Sequence, residues 1–193
     1  MKFIFIRHAK DDDKYRGGWS NLDITDEGRT QALKLAKYLK ENDLNISKII
    51  SSDLKRAVTT SEIINTSLNL PILYDKCLRE INNGELSGML NEEACNKYPG
   101  LYFKSLDMDS RYPNGESPRE FYDRINKWFK ETISLYKDEK QNILFVTHGG
   151  VINIIYYIIN NKEWDNKKES YKIPTCSIHI LDIDKMEFEK TML

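Results

Sequence analysis

The sequence predicts an α/β fold built on a largely parallel sheet, and three observations carry that prediction. Short apolar runs of strand length alternate with stretches of helical periodicity along most of the chain. Two of those runs, Lys2 to Ile6 and Asn142 to Val146, give way directly to histidine-bearing turns, Arg7-His8 and Thr147-His148. The stretch from Val151 to Asn160 is apolar nearly all round, as a helix buried against a sheet would be. Size and composition agree: 193 residues, 40% hydrophobic and 31% charged, suit one globular domain over 1–193. A chain of this mass buries about 70% of its unfolded surface on folding, enough to need no disulfide or metal staple.

Taken in order, Lys2 to Ile6 reads as a buried strand. Ala32, Leu35, Ala36 and Leu39 recur at helical spacing, which predicts a helix from about Thr25 to Glu41 capped by Thr25. Lys48 to Ser51 is a short strand, followed by a helix from about Leu54 to Leu68 with Asp53 expected as its cap. Pro71 to Tyr74 is a third strand. The segment 78–112, rich in Asn, Gly, Pro and Ser, is irregular, with one short helix near Glu92 to Tyr98, and is expected to leave the sheet edge and cover a site. Ser117-Pro118-Arg119-Glu120 supplies an N-cap, a proline at N1 and a glutamate at N3, a complete capping box. Phe121, Ile125, Trp128, Phe129, Thr132 and Tyr136 then mark that helix's buried face. Cys176 to Leu181 and Met186 to Glu189 read as a closing hairpin, in which His179 is a structural or surface residue.

Charges nearly cancel, leaving a formal net charge of -1, so no overall basic field invites nucleic acid. The first apolar run stops at Arg7, too short for a signal-peptide core, and no stretch approaches the length of a membrane span. Cys77, Cys95 and Cys176 are odd in number and form no CxxC, so a reducing, cytoplasmic setting is expected. The sequence sets no oligomeric state.

His8 and His148 each follow a strand, and ligands in open α/β sheets bind beyond the carboxyl ends of parallel strands. Arg7 precedes the first histidine, and two glycines that open a helix follow the second. Ser51-Ser52-Asp53-Leu54-Lys55-Arg56 ends another strand and places Arg56 in the first turn of its helix. Two arginines, two imidazoles and helix N-termini suit a compact dianion, with phosphate the obvious candidate.

Arg7-His8-Ala9, Gly18-Trp19, Leu22 to Gly28, Ser51 to Ala57, Leu78-Arg79-Glu80 with Gly84 and Gly88, Pro113 to Ser117, and Val146 to Gly150 occur in that order. This ordered set resembles the histidine phosphatase superfamily, which includes phosphoglycerate mutases and their phosphatase relatives, over nearly the whole chain. The resemblance implies a three-layer α/β/α sandwich of the phosphoglycerate mutase-like type. It implies His8 as the nucleophile, with Arg7, Arg56 and His148 on the phosphate oxygens and His148 counted also among the catalytic groups. Glu80 would be the general acid, with Glu85 and Glu116 as competitors for that role. No metal or organic cofactor is implied. The expected activity is hydrolysis of small phosphorylated metabolites through a phosphohistidine; phosphoglycerate mutase activity and an inactive phosphoryl-binding regulator are the alternatives. Mutases of this type tend to run longer at the C-terminus, which favours hydrolysis. A metal hydrolase using His8 and His148 as ligands fits less well, since Arg7 and Arg56 would repel a cation.

The departures are local. Ala9 and Lys10 stand where the family usually has glycine and an acidic or small residue, and the loop Asp11 to Arg16 offers no clear counterpart of the mutases' phosphate-contacting asparagine. Lys10 or Arg16 is expected near the mouth, reading a second anionic group on the substrate.

Overall fold

Strand β1 (Lys2–Arg7) sends alternate side chains to opposite faces, and both faces are apolar. Phe3 and Phe5 join one core cluster, Ile4 and Ile6 a second. That double-sided burial is what a sheet covered by helices on both faces demands. In the computed structural model, which describes residues 1–168 and 171–189, six strands form one sheet in the order β3-β2-β4-β1-β5-β6. Strands β2 (Ile46–Ser51), β3 (Ile72–Tyr74), β4 (Asn142–Thr147) and β1 are parallel. The hairpin β5 (Ile178–Asp182) and β6 (Glu187–Phe188) adds two antiparallel strands at the β1 side.

Helices α1 (Asp26–Glu41) and α2 (Lys55–Leu68) pack one face through Leu35, Leu39, Ala57 and Ile64. After the short α3 (Asn91–Lys97), α4 (Pro118–Tyr136) and α5 (Gly149–Ile159) cover the other through Phe121, Ile125, Phe129, Val151 and Ile155. The result is the expected three-layer sandwich. Thr25 caps α1 by accepting the Gly28 N–H, and Ser117 and Glu120 form the expected box on α4.

One cap differs from expectation. Leu54, not Asp53, is the N-cap of α2, and no side chain closes that end. Asp53 is instead held by Arg79 through two contacts of 2.6 Å. A bidentate, charge-assisted pair outcompetes a single bond to a backbone N–H, and Arg79 keeps the Asp53 carboxyl below the usual carboxylate range.

His179 is a core residue in a chain of hydrogen bonds. Ser177 donates to the Pro174 carbonyl at 2.6 Å, and its oxygen lies 2.7 Å from His179 Nε2. The Tyr156 hydroxyl lies 2.9 Å from Nδ1. With Nε2–H donating to Ser177, Nδ1 is left to accept from Tyr156, which requires a neutral ring. Burial lowers the His179 pKa from 6.5 to about 4. Between those values the unfolded chain takes up the proton and the folded chain does not, so stability falls as pH falls through that window. His8 and His148, also buried with lowered pKa values, act in the same direction. Thermal melts from pH 7 down to 4.5 are expected to show a progressively lower Tm, with a shallower slope in His179→Gln; identical slopes would remove His179 from this account.

Candidate active site

Strands β2, β4 and β1 are parallel neighbours, so their carboxyl ends share one edge of the sheet. Register completes the assembly. Arg7 pairs with Thr147 and Ser51 with Val146, so His8 and His148 emerge side by side, with Ser52 one position behind them on the neighbouring strand. The two imidazole centroids are 5.0 Å apart.

His8 is only 4% exposed. Its Nδ1 lies 2.8 Å from the Ala9 carbonyl oxygen, which can only accept, so that nitrogen carries the proton. Nε2 is left as a bare lone pair, to which Arg56 Nε donates at 3.3 Å. Burial first, then the guanidiniums of Arg56 and Arg7, hold its pKa well below that of an ordinary imidazole. The ring is therefore neutral, in the tautomer and state a nucleophile needs.

His148 is fully buried, and its Nε2 lies 2.9 Å from Ser52 Oγ. Ser52 Oγ accepts the Leu54 N–H at 3.3 Å and can donate its own O–H to the Nε2 lone pair. In that tautomer Nδ1 bears a hydrogen, and this atom is buried with no partner among the described residues. An unpaired donor beside His8 suits an incoming oxyanion. Burial, then Arg56, lowers this pKa too.

Arg56, in the first turn of α2, is 2% exposed and closely held. It donates to the Gly18 carbonyl at 2.8 Å and to Ser20 Oγ at 3.4 Å, and Asp11 Oδ2 lies 3.5 Å from its Nε. Gly18 has φ of +53°, and a Cβ there would run into the Asn83 amide, so glycine is what lets this loop close over the guanidinium. Arg7 donates Nη1 to the Ile173 carbonyl at 2.8 Å, while its buried Nε has no partner among the described residues.

Glu80 comes from the irregular segment. Its two oxygens each accept a backbone N–H at 3.0 Å, one from Ile81 and one from Gly150 in the first turn of α5. Its own carbonyl accepts from Trp19 Nε1 at 2.7 Å and from Arg124 at 3.2 Å. Arg124 also donates to the Cys77 and Arg79 carbonyls and forms a bidentate pair with Glu116. Glu116 is thus occupied in holding this segment. Glu85 is engaged at an exposed position by Tyr98, Asn114 and Lys97.

A cavity of about 420 Å³ opens beside Arg7, Glu80 and the glycines that start α5. His8, Arg56 and His148 are not among its described lining residues. The structure does not bring Lys10 or Arg16 to that lining. Lys10 is bound by Glu27 of α1 at 2.5 Å. Arg16 lies over the Tyr102 ring at 4.4 Å, with the Cys95 sulfur 3.7 Å from its Nη2. Lys10 is thus paired with a carboxylate, whereas the buried Nε of Arg16 has no partner among the described residues.

The residues that position Glu80 escaped sequence reasoning. Arg124 falls within a helix whose pattern marks only its apolar face, and Trp19 carries no sign that its indole N–H reaches a distant carbonyl. Gly150 does carry a testable signal. A Cβ there would stand 2.2 Å from Glu80 Oε1. That carboxylate is the end of a flexible side chain and can swing aside, so Gly150→Ala is expected to leave the Tm within a few degrees while lowering kcat for phosphomonoesters about tenfold or more. Unchanged kcat would mean the Glu80 position is immaterial.

The chain matches the family model described as "Histidine phosphatase superfamily (branch 1)" over residues 3–193. It is 34% identical over 162 residues to "Phosphoglycerate mutase-like protein 4" of Arabidopsis thaliana, covering 80% of this chain and 69% of that protein. It is 33% identical over 190 residues to "Probable phosphoglycerate mutase GpmB" of Escherichia coli, covering 94% of this chain and 85% of that one. Among solved structures, the alpha-ribazole phosphatase from Shigella flexneri superposes with a TM-score of 0.84 at 23% identity, covering 97% of this chain and 93% of that one. A mycobacterial glucosyl-3-phosphoglycerate phosphatase gives 0.76 at 21% identity, with coverages of 97% and 95%. At those identities the structural likeness speaks to the fold.

Proposed function

Since the chain belongs to the histidine phosphatase superfamily, we propose that it hydrolyses small phosphomonoesters through a phosphohistidine formed on His8. The observation that carries this reading is the state of His8: a buried, neutral ring with Nδ1–H tied to Ala9 and the Nε2 lone pair turned toward Arg56, within 5.0 Å of His148.

In the first step Nε2 attacks phosphorus in line, the bond from phosphorus to the ester oxygen breaks, and Glu80 gives its proton to the departing alkoxide. Arg7, Arg56 and the Nδ1–H of His148 stabilise the charge on the remaining phosphoryl oxygens. In the second step Glu80 takes a proton from water as the water oxygen attacks phosphorus. His8 leaves as a neutral imidazole and inorganic phosphate is released. The two backbone N–H groups on Glu80 keep its carboxyl aimed at the same place through both steps.

The names of the relatives above 30% identity keep mutase activity as the second reading. A phosphoglycerate carboxylate would, however, enter a cavity whose described lining holds Glu80 and, apart from Arg7, no cation. Hydrolysis is therefore the principal activity. Assayed on p-nitrophenyl phosphate in EDTA, the protein is expected to turn over and to yield an acid-labile phosphoenzyme on quenching. Activity abolished by the chelator would overturn this reading, and interconversion of 3- and 2-phosphoglycerate faster than release of phosphate would favour the mutase.

A further inference from the structure

The cavity beside Glu80 is built with more specificity than holding a phosphate requires. Three of its lining residues are aromatic, Phe103, Trp164 and Tyr171, and Asn153 supplies the one side-chain amide among the described lining residues. Phe103 and Trp164 are held together. Phe103 belongs to the irregular segment and Trp164 to the connection between α5 and β5, and buried Asn166 stitches the two by donating to the Phe103 and Leu106 carbonyls at 2.5 and 2.8 Å. The Trp164 ring is stacked on Tyr122 at 5.5 Å and faces Phe103 at 6.3 Å. Held in this way, the aromatic faces can receive a flat group without first paying to be ordered.

Charge and hydrogen-bonding capacity narrow the ligand further. Arg7 is the one cation among the described lining residues, and its Nη1 is committed to the Ile173 carbonyl. Glu80 faces the same space, and Lys162, whose Nζ lies 3.5 Å from the Tyr171 hydroxyl, is not among the described lining residues, so a second anionic group on the substrate would meet like charge without a further counter-ion in the lining. Asn153 Oδ1 accepts the Tyr171 N–H at 3.0 Å, which leaves the side chain its NH₂ donors to offer.

From these features we infer that the substrate is the phosphomonoester of a neutral alcohol carrying a flat ring. The ring would lie against Phe103, Trp164 and Tyr171, and an acceptor on it would face Asn153. Phosphorylated hydroxy acids are disfavoured. This deepens the phosphatase reading and rests on it, because the cavity takes the leaving group of the ester cleaved at His8.

The test compares 2-phenylethyl phosphate, glycerol 3-phosphate and 3-phosphoglycerate, all esters of primary alcohols, so that ring and charge vary more than leaving-group reactivity. The expected order of kcat/KM is phenylethyl above glycerol ester by at least about tenfold, with 3-phosphoglycerate lowest. In Phe103→Ala the phenylethyl-to-glycerol ratio should fall about tenfold. In Asn153→Lys the ratio of 3-phosphoglycerate to glycerol ester should rise, because the cavity then holds a counter-ion. Calorimetric binding of the same three compounds to His8→Ala ranks them without turnover. A ranking there that places 3-phosphoglycerate level with or above the phenylethyl ester overturns the substrate class, whatever the catalytic result. Binding in the expected order with no hydrolysis by the wild type would sink the phosphatase reading and leave the cavity's preference standing.

Discussion

Replacing His8 with alanine is expected to lower kcat for p-nitrophenyl phosphate at least about 10⁴-fold and to eliminate the acid-labile phosphoenzyme. The size of the effect follows from the geometry. In the tautomer in which Ser52 donates to Nε2, His148 presents a hydrogen and not a lone pair, so it does not take over the attack. The residual rate would come from Arg7, Arg56 and bound water. The substitution removes a buried ring and deprives Arg56 Nε of its acceptor, so a modest fall in Tm should accompany it without loss of fold. Because burial and two guanidiniums keep His8 unprotonated, the acidic limb of kcat/KM in the wild type should not fall in the ordinary imidazole range. Wild-type turnover in His8→Ala, or retention of the labelled intermediate, would place the nucleophile elsewhere.

Glu80→Gln is the second large effect, expected to cost about 10² to 10⁴ in kcat for an alkyl phosphate and distinctly less for p-nitrophenyl phosphate. A nitrophenolate departs without help, whereas an alkoxide needs a proton, so the two losses separate acid catalysis from simple binding. Glutamine keeps the shape but offers one acceptor oxygen in place of two, so either Gly150 or Ile81 must lose its partner. A small, parallel change in KM would come from that disturbance, and comparison with Gly150→Ala identifies it. Equal losses for both esters would assign Glu80 a positioning role and leave the proton donor to be found.

The sheet was legible because its strands are apolar on both faces. Phe3, Ile4, Phe5 and Ile6 announce a covered strand without reference to anything distant, and the Ser117 box marks a helix start within four residues. The meeting of His8 with His148 was legible only as an expectation about strand ends, since the register of β1 against β4 is what makes it true. Asp53 was misread as a cap because a helix start is a local pattern, and the Arg79 that claims it is brought there by the fold. Lys10 illustrates the same limit from the other side: the cation beside the nucleophile in sequence is paired with Glu27, on the next helix, a partner its position in the sequence does not reveal. Arg124 and Trp19, which fix the Glu80 backbone, work through bonds to main-chain carbonyls, and residue type alone does not reveal such partners.

The carboxylate of Asp11, 3.5 Å from Arg56 Nε, gives any entering dianion a rival. Under the proposed hydrolysis, association there would be an exchange: one negative group competes with another for the same guanidinium, and the net electrostatic gain is the difference between them. The same competition would run in reverse as inorganic phosphate departs, trading tenacity for turnover through a loop residue outside the bond being broken.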